Sequence, residues 1–143
     1  MDNKVTIQTT VNAPIERVWE KWTLPEHITN WAFASDDWIA PSAENDLRVG
    51  GKFKTRMEAK DKSEGFDFNG VYTNVVEHNA IEYDMEKAPH ETKSRHVKIL
   101  FEETPEGVKI TQMFDPENEN PIEMQREGWQ AILNNFKKYT ESL

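Results

Sequence analysis

The amino-acid sequence predicts an α+β fold: a curved antiparallel sheet of about six to seven strands around one long C-terminal helix, with two short helices after the first strand. Apolar and polar residues alternate in short segments separated by turn residues, which is typical of half-buried strands. The last segment instead repeats its apolar residues at helical spacing. A length of 143 residues suits one domain, so residues 1–143 are predicted to form a single unit.

The first strand and the two short helices are predicted near the N-terminus. Residues 4–11 alternate between apolar and polar side chains, which indicates a strand with one covered face. Pro14 suits the first turn of a helix, and residues 14–22 carry apolar side chains at i, i+3, i+4 and i+7. A second helical turn is predicted over 25–30, because it follows the break at Thr23-Leu24-Pro25.

The segment 31–46 is predicted to be irregular, because its aromatic residues lie among Ser, Asp, Pro and Asn without a period. Trp31, Phe33 and Trp38 are the aromatic residues in this segment. Bulky rings in a loop seldom face water entirely. We therefore expect them either to cover the end of the core or to line the mouth of a cavity.

The remaining strands follow one another with turn residues between them. Alternating patterns predict strands over 52–59, 66–75, 80–86, 95–102 and 108–114. Gly50-Gly51 is predicted to form a turn or bulge, and 61–65 and 104–107 are predicted turns. Residues 87–93 are predicted to be a connection. Hairpin spacing makes the sheet antiparallel, and these side chains are predicted on its inner face: Phe53, Met57, Phe68, Tyr72, Tyr83 and Phe114.

The segment from Pro121 to the C-terminus is predicted to be one long helix with an apolar stripe. The stripe consists of Ile122, Gln125, Trp129, Ile132, Leu133, Phe136 and Thr140. Such a stripe must be buried, and the concave face of the sheet is the available surface. Gly128 costs helix propensity of about 1 kcal/mol relative to Ala, so we expect it to allow the sheet to approach closely.

Composition excludes several classes of function. The formal net charge is −9, which repels nucleic-acid phosphates and anionic lipid, so neither nucleic acid nor a membrane is an expected partner. The absence of Cys excludes disulfides, thiolate metal sites and cysteine nucleophiles. No apolar run reaches membrane-spanning length and no signal core is present, so a cytoplasmic protein is predicted. A monomer or weak homodimer is expected.

Motifs of catalytic or metal-binding chemistry are also missing from the sequence. His27, His78, His90 and His96 form no pair at the spacing of metal ligands. No nucleophile elbow, phosphate loop or dinucleotide-binding glycine pattern occurs. His96 lies on the strand face opposite the apolar residues and is predicted to be exposed rather than catalytic. No catalytic residue, metal or cofactor is therefore predicted, and an enzyme is the less favoured alternative.

Five polar residues share faces with apolar ones, namely Tyr72, Asn74, Tyr83, Gln112 and Gln125. Buried polar groups require hydrogen-bond partners. These partners are either one another, as in ordinary structural pairs, or water or a ligand. The sequence favours structural pairs and leaves the ligand contact open.

Four segments, in order, resemble the SRPBCC (START-like, Bet v 1-like) superfamily, and within it the group related to the C-terminal domain of the activator of Hsp90 ATPase. Residues 13–19 and 25–31 resemble its two opening helices. Residues 46–53 are similar to its double-glycine strand, and 127–133 to the Gly-Trp of its last helix. The sequence departs from the family after Trp31, where many relatives carry Trp-Gly-Pro, so no ligand preference is carried over.

The resemblance implies a helix-grip fold that encloses a cavity between the sheet and the long helix. Members bind hydrophobic or amphipathic small molecules, act as cyclases, or assist a chaperone. The candidate ligand-binding residues are Trp31, Phe33, Trp38, Phe53, Met57, Phe68, Tyr72, Tyr83, Gln112, Phe114, Gln125, Trp129 and Leu133.

Three functions are compatible with these observations. The preferred one is a non-catalytic binding protein whose cavity takes a hydrophobic or amphipathic small molecule. The second is a co-chaperone-like module that binds a chaperone through its surface. The third is a cyclase- or hydratase-type enzyme that would use Tyr72, Tyr83 or His96 as acid and base.

Overall fold

The computed structural model describes residues 4–86, 94–117 and 119–142. The predicted connection over 87–93, with His90, lies outside the described residues. The elements are β1 (Val5–Val11), α1 (Ile15–Thr23), α2 (Pro25–Ile28), β2 (Trp38–Asn45), β3 (Lys52–Ala59), β4 (Gly65–Val76), β5 (Ala80–Met85), β6 (His96–Thr104), β7 (Gly107–Phe114) and α3 (Ile122–Glu141). Among the described residues, no helix is both long and apolar enough to cross a membrane.

The strands form one curved antiparallel sheet, and the predicted α+β fold is confirmed. Their order is β1-β7-β6-β5-β4-β3-β2, so β2 to β7 are successive neighbours and β1 joins the sheet beside β7. Alternation places one set of side chains on the concave face, as predicted. In β3, for example, Phe53, Thr55, Met57 and Ala59 are buried. Gly50 has a φ of 85°, which fits the predicted turn before β3.

The prediction of an irregular segment over 31–46 is wrong for its second half, because β2 occupies Trp38–Asn45. The pairing of β2 with β3 shifts register between Ile39 and Ser42, and Pro41 lies within the shift. This irregularity breaks the apolar–polar alternation by which a strand is recognised. Pro is tolerated here because β2 is an edge strand, where a missing N–H costs no ladder bond.

The face of Asn74 was also predicted wrongly. Tyr72 pairs with Tyr83, but the register then shifts by one residue and Asn74 pairs with Glu82. A β-bulge of this kind moves every later side chain to the opposite face. Asn74 therefore leaves the face of Tyr72, and its amide Nδ2 donates a hydrogen bond to Glu82 Oε2 at 3.1 Å.

The apolar stripe of α3 packs against the sheet as predicted. The Trp129 and Phe114 rings are stacked, with centroids 4.0 Å apart and planes 10° from parallel. Leu133 and Phe136 are almost fully buried, and Phe136 also contacts the Trp22 ring of α1 edge-on. Ile122 departs from the prediction, since it is exposed at the start of the helix.

Polar side chains of α3 cover the free edge of β1. The donors and their backbone carbonyl acceptors are Arg126 and Thr6, Gln130 and Gln8, and Lys137 and Thr10. The accepting residues are two apart along β1, because alternate carbonyls of an edge strand point away from the sheet. These bonds satisfy groups that would otherwise be open to pairing with another chain.

Gly128 does not mark a close approach between helix and sheet, contrary to the prediction. A Cβ added at this position would meet no heavy atom within 4 Å. The glycine therefore leaves open space beside α3. Gly lowers the stability of the helix relative to Ala, and no close contact at this position requires the absence of a side chain.

We expect Gly128→Ala to raise the free energy of unfolding by about 1 kcal/mol, because Ala has the higher helix propensity and meets no obstacle. Urea denaturation followed by circular dichroism measures the change. The opposite control is Gly70→Ala, whose Cβ would clash with the Asp84 carbonyl oxygen and should destabilise the fold. A loss of stability in Gly128→Ala would contradict the inference that the space is open.

Candidate functional site

A cavity of about 300 Å³ lies between the concave face of the sheet and α3. Its walls are mostly aromatic and aliphatic, and they come from α1, α2, β2 to β7 and α3. Most of the predicted ligand-binding residues lie in these walls: Trp31, Phe53, Met57, Phe68, Tyr72, Tyr83, Gln112, Trp129 and Leu133. The structure thus brings together residues from segments far apart in the sequence.

The other predicted residues lie outside the lining. Trp38 packs on the ring of Phe66, which does line the cavity, with centroids 6.0 Å apart. Phe114 lies behind the wall, where its stacking supports Trp129. Phe33 lies beyond the lining, and its backbone carbonyl accepts a hydrogen bond from Asn135 Nδ2 at 3.3 Å.

Gln125 is committed to the loop before α3 rather than to the cavity. Its Oε1 accepts a hydrogen bond from the Glu117 backbone N–H at 2.9 Å. Its Nε2 donates to the carbonyls of Glu117, at 3.2 Å, and Asn120, at 2.8 Å. The amide therefore joins the loop to the first turn of α3.

Several lining residues were not singled out from the sequence. Trp22, Ile81 and Ile99 line the cavity, and their apolar periodicity was the signal that could have selected them. Glu44, Asn45, Arg95 and Glu117 also line it, but no pattern marks them. Glu44 and Asn45 belong to the strand that the sequence did not reveal, and Arg95 and Glu117 flank the ends of strands.

Tyr72 makes a structural hydrogen bond across the inside of the sheet. Its hydroxyl donates to Asn45 Oδ1 at 2.5 Å, and Asn45 Nδ2 donates in turn to the Thr23 carbonyl at 2.6 Å. Burial raises the pKa of Tyr72, and the bond to Asn45 offsets only part of that effect. Tyr72 is therefore neutral, and its hydroxyl links β4 through β2 to the end of α1.

Thr55, Tyr83 and Gln112 are buried polar residues of a different kind. All three line the cavity and are less than a tenth exposed. None of their side chains makes a hydrogen bond within the described part of the chain. Burial raises the pKa of the Tyr83 phenol far above its ordinary value, so the group remains protonated. The cavity therefore presents uncharged hydrogen-bonding groups among apolar walls.

The ionisable side chains in the lining, apart from the tyrosines, are Glu44, Arg95 and Glu117. They lie toward the end of the sheet where β5 ends and β6 begins. The Met85 backbone N–H there donates to the Arg95 carbonyl at 2.8 Å. Glu117 lies in the loop after β7, and Glu44 is the next-to-last residue of β2. Charge is thus confined to one end of the cavity.

His96 lies on the convex face of the sheet, outside the cavity lining. Its ring is hydrogen-bonded to Asp84 Oδ1 at 2.7 Å and to Glu82 Oε1 at 3.0 Å. The residue is half-buried, so it is less exposed than predicted. Burial alone would lower the pKa of His96, but the bonds to Asp84 and Glu82 outweigh it and raise the pKa above its ordinary value.

The described residues contain no group of three or more His, Cys, Asp or Glu side chains that could hold a metal ion. The Glu82–Asp84–His96 contacts are therefore an ion-pair network. In this network the His96 ring lowers the pKa of Glu82 through its hydrogen bond.

A curved seven-stranded sheet that holds one long helix over a cavity defines a helix-grip protein of the START-like (Bet v 1-like) superfamily. The family model for Activator of Hsp90 ATPase homolog 1-like proteins matches residues 12–141. The chain belongs to this family, which confirms the resemblance seen in the sequence.

Solved structures agree with this assignment. An AHSA1-like protein from Aeromonas hydrophila is 37% identical, with a TM-score of 0.88 over 97% of this chain and 92% of that one. A protein from Cytophaga hutchinsonii is 48% identical, with a TM-score of 0.80 over 99% and 94%. A protein from Chromobacterium violaceum shares the fold at 22% identity and a TM-score of 0.85, over 99% of each chain. A search of proteins with curated descriptions finds no match.

We expect the folded state to lose stability as the pH rises through the raised pKa of His96. Because the pKa of His96 is higher in the folded state than in the unfolded state, protonation of His96 stabilises the fold. This stabilisation is complete below the unfolded-state pKa of about 6.5 and is lost as the pH rises above the folded-state pKa. Urea denaturation between pH 6 and 8.5 should therefore show a steeper decline for the natural protein than for His96→Gln. Equal slopes for the two proteins would contradict the role of the Asp84 and Glu82 contacts.

Proposed function

We propose that the protein is a non-catalytic, cytoplasmic binding protein whose cavity takes a hydrophobic or amphipathic small molecule. The observation that carries this proposal is the cavity of about 300 Å³ with its mostly apolar walls. Ligand pockets are commonly about 300–1,000 Å³ and apolar with few polar groups. The volume equals that of about ten water molecules, which suits a compact ligand of one or two rings.

The size of the cavity argues against an ordinary packing defect. Folded interiors contain few voids larger than one water molecule. The cavity is partly open to the solvent, so water or a ligand fills the space. Apolar walls give water few partners and favour a ligand.

The aromatic arrangement around the cavity supports the same proposal. Phe53 packs against Tyr83 with ring centroids 4.7 Å apart and against Phe68 at 5.5 Å. Phe68 in turn meets the edge of Trp129 at 6.1 Å. These rings fix one another in place, so the wall is shaped before a ligand arrives. A preformed site avoids the entropy cost of ordering side chains on binding.

We expect Ile132→Trp to weaken ligand binding at least tenfold, because Ile132 lines the cavity and a larger ring would fill it. 2-Naphthol, an amphipathic two-ring compound, serves as the probe. Its dissociation constant is measured from backbone amide shifts in a titration followed by NMR.

The matched control is Ile122→Trp, on the same helix but exposed and outside the lining. It should bind the probe as the natural protein does. Retained dispersion of the amide spectrum checks the fold, and Ile132→Phe is a milder variant should Ile132→Trp unfold. The proposal fails if 2-naphthol causes no saturable shifts at cavity-lining residues, or if a folded cavity-filling variant binds it unchanged.

A second candidate function is assistance to a chaperone, for which the family description is the supporting observation. We then expect excess protein to raise the ATPase rate of an Hsp90-type chaperone from the same source. Ile132→Trp and the natural protein should act equally, because the contact would use the surface. An unchanged rate together with no complex in size-exclusion chromatography would reject this candidate.

A further inference from the structure

We infer that the ligand carries uncharged hydrogen-bonding groups, hydroxyl or carbonyl, that bind Thr55, Tyr83 and Gln112 inside the cavity. This inference rests on the proposed function and narrows its class of ligand. It excludes ligands whose carboxylate, phosphate or ammonium group would lie next to these three residues. The three residues come from β3, β5 and β7, so they are distributed across the sheet that forms the cavity floor.

These three side chains are buried without partners in the described part of the chain. Each is less than a tenth exposed, and none forms a side-chain hydrogen bond with the described residues. No atom of the described chain satisfies their polar atoms, and these atoms are not fully covered by protein, so they are open to the contents of the cavity. Tyr72 shows the contrast, because it lines the same cavity but its hydroxyl is satisfied by Asn45. The free donors and acceptors therefore face whatever fills the cavity.

The three polar side chains offer no charge to a ligand. A phenol, a carboxamide and a hydroxyl each donate and accept hydrogen bonds, yet none carries charge. Burying an ionised ligand group against them would require its desolvation without an opposing charge, which costs several kcal/mol. The two carboxylates and one guanidinium of the lining lie toward one end of the cavity. An anion would meet the carboxylates of Glu44 and Glu117 there as well as the guanidinium of Arg95.

The Tyr83 hydroxyl is held in position. The ring of Tyr83 contacts Phe53 at 4.7 Å, Phe68 at 6.0 Å and Tyr72 at 6.2 Å, in each case near edge-on. Its backbone pairs with Tyr72 on one side and Val97 on the other. A donor fixed in this way selects ligands by the position of their polar group, because it cannot follow a misplaced one.

The experiment compares three two-ring probes of nearly equal size with the full-length protein at pH 7. 2-Naphthol carries an uncharged hydroxyl, 2-methylnaphthalene replaces it with a methyl group, and 2-naphthoate carries a negative charge. NMR titration gives the dissociation constant of each. We expect 2-naphthol to bind about three- to tenfold more tightly than 2-methylnaphthalene, as one net hydrogen bond allows, and 2-naphthoate to bind most weakly.

Variants locate the interaction. Tyr83→Phe and Gln112→Met should each reduce the preference for 2-naphthol over 2-methylnaphthalene and leave the affinity for 2-methylnaphthalene unchanged or higher. The matched controls are Tyr139→Phe, whose hydroxyl binds His27 Nδ1 at 2.7 Å outside the cavity, and Gln8→Met, whose side chain is exposed on β1. Both controls should keep the preference of the natural protein.

Each other outcome has a definite meaning. Equal affinity for 2-naphthol and 2-methylnaphthalene, with shifts at the lining residues, overturns this inference and leaves the proposed function standing. Tightest binding of 2-naphthoate, lost in Arg95→Met, overturns it in favour of an anionic ligand. A preference that survives in both Tyr83→Phe and Gln112→Met also overturns it. If no probe shifts any lining residue, the proposed function itself fails.

Discussion

Stacking of Trp129 on Phe114 holds α3 against the sheet, and the position of the cavity depends on it. The two rings are nearly parallel at 4.0 Å, which is contact distance for aromatic faces. Phe114 is the last residue of β7, which lies between β1 and β6. The helix is therefore fixed toward one side of the sheet rather than over its centre.

The hydrogen bonds from α3 to β1 reinforce this off-centre position. Arg126, Gln130 and Lys137 reach the free carbonyls of β1, and these bonds fix the helix along that edge. The concave face of β3, β4 and β5 is then left without a helix directly above it. Side chains of these strands, including Phe53 and Tyr83, face open space and line the cavity. The cavity is thus a consequence of where the helix is attached.

The sequence allowed most of the fold to be predicted, because its information is periodic. Alternation identified β1 and β3 to β7, and 3.6-residue spacing identified α1 and α3. β2 was not identified, because the register shift around Pro41 interrupts the alternation on which the prediction depends. Asn74 was assigned to the wrong face for the same kind of reason, since one bulge residue reverses the alternation. A pattern in one strand contains no information about bulges set by its partner.

The site was only partly predictable, and the reason is physical. Periodicity could place aromatic residues such as Phe53 and Trp129 at the cavity. Core residues and cavity-lining residues show the same apolar pattern in the sequence. Whether a buried polar residue is satisfied depends on side chains brought near it by the fold. Tyr72 and Tyr83 have the same pattern in the sequence, yet Asn45 of β2 satisfies only Tyr72.

This difference between the two tyrosines connects the stability of the fold with its binding function. The Tyr72 hydroxyl joins three elements through Asn45 and Thr23, so its polar group contributes to the frame. The Tyr83 hydroxyl makes no such contact within the described chain, so it remains available to water or a ligand in the cavity. Because a ligand that supplies this partner binds only the folded state, its binding free energy adds to the stability of the fold. The polar groups that the described chain leaves without internal partners are therefore those that can distinguish one ligand from another.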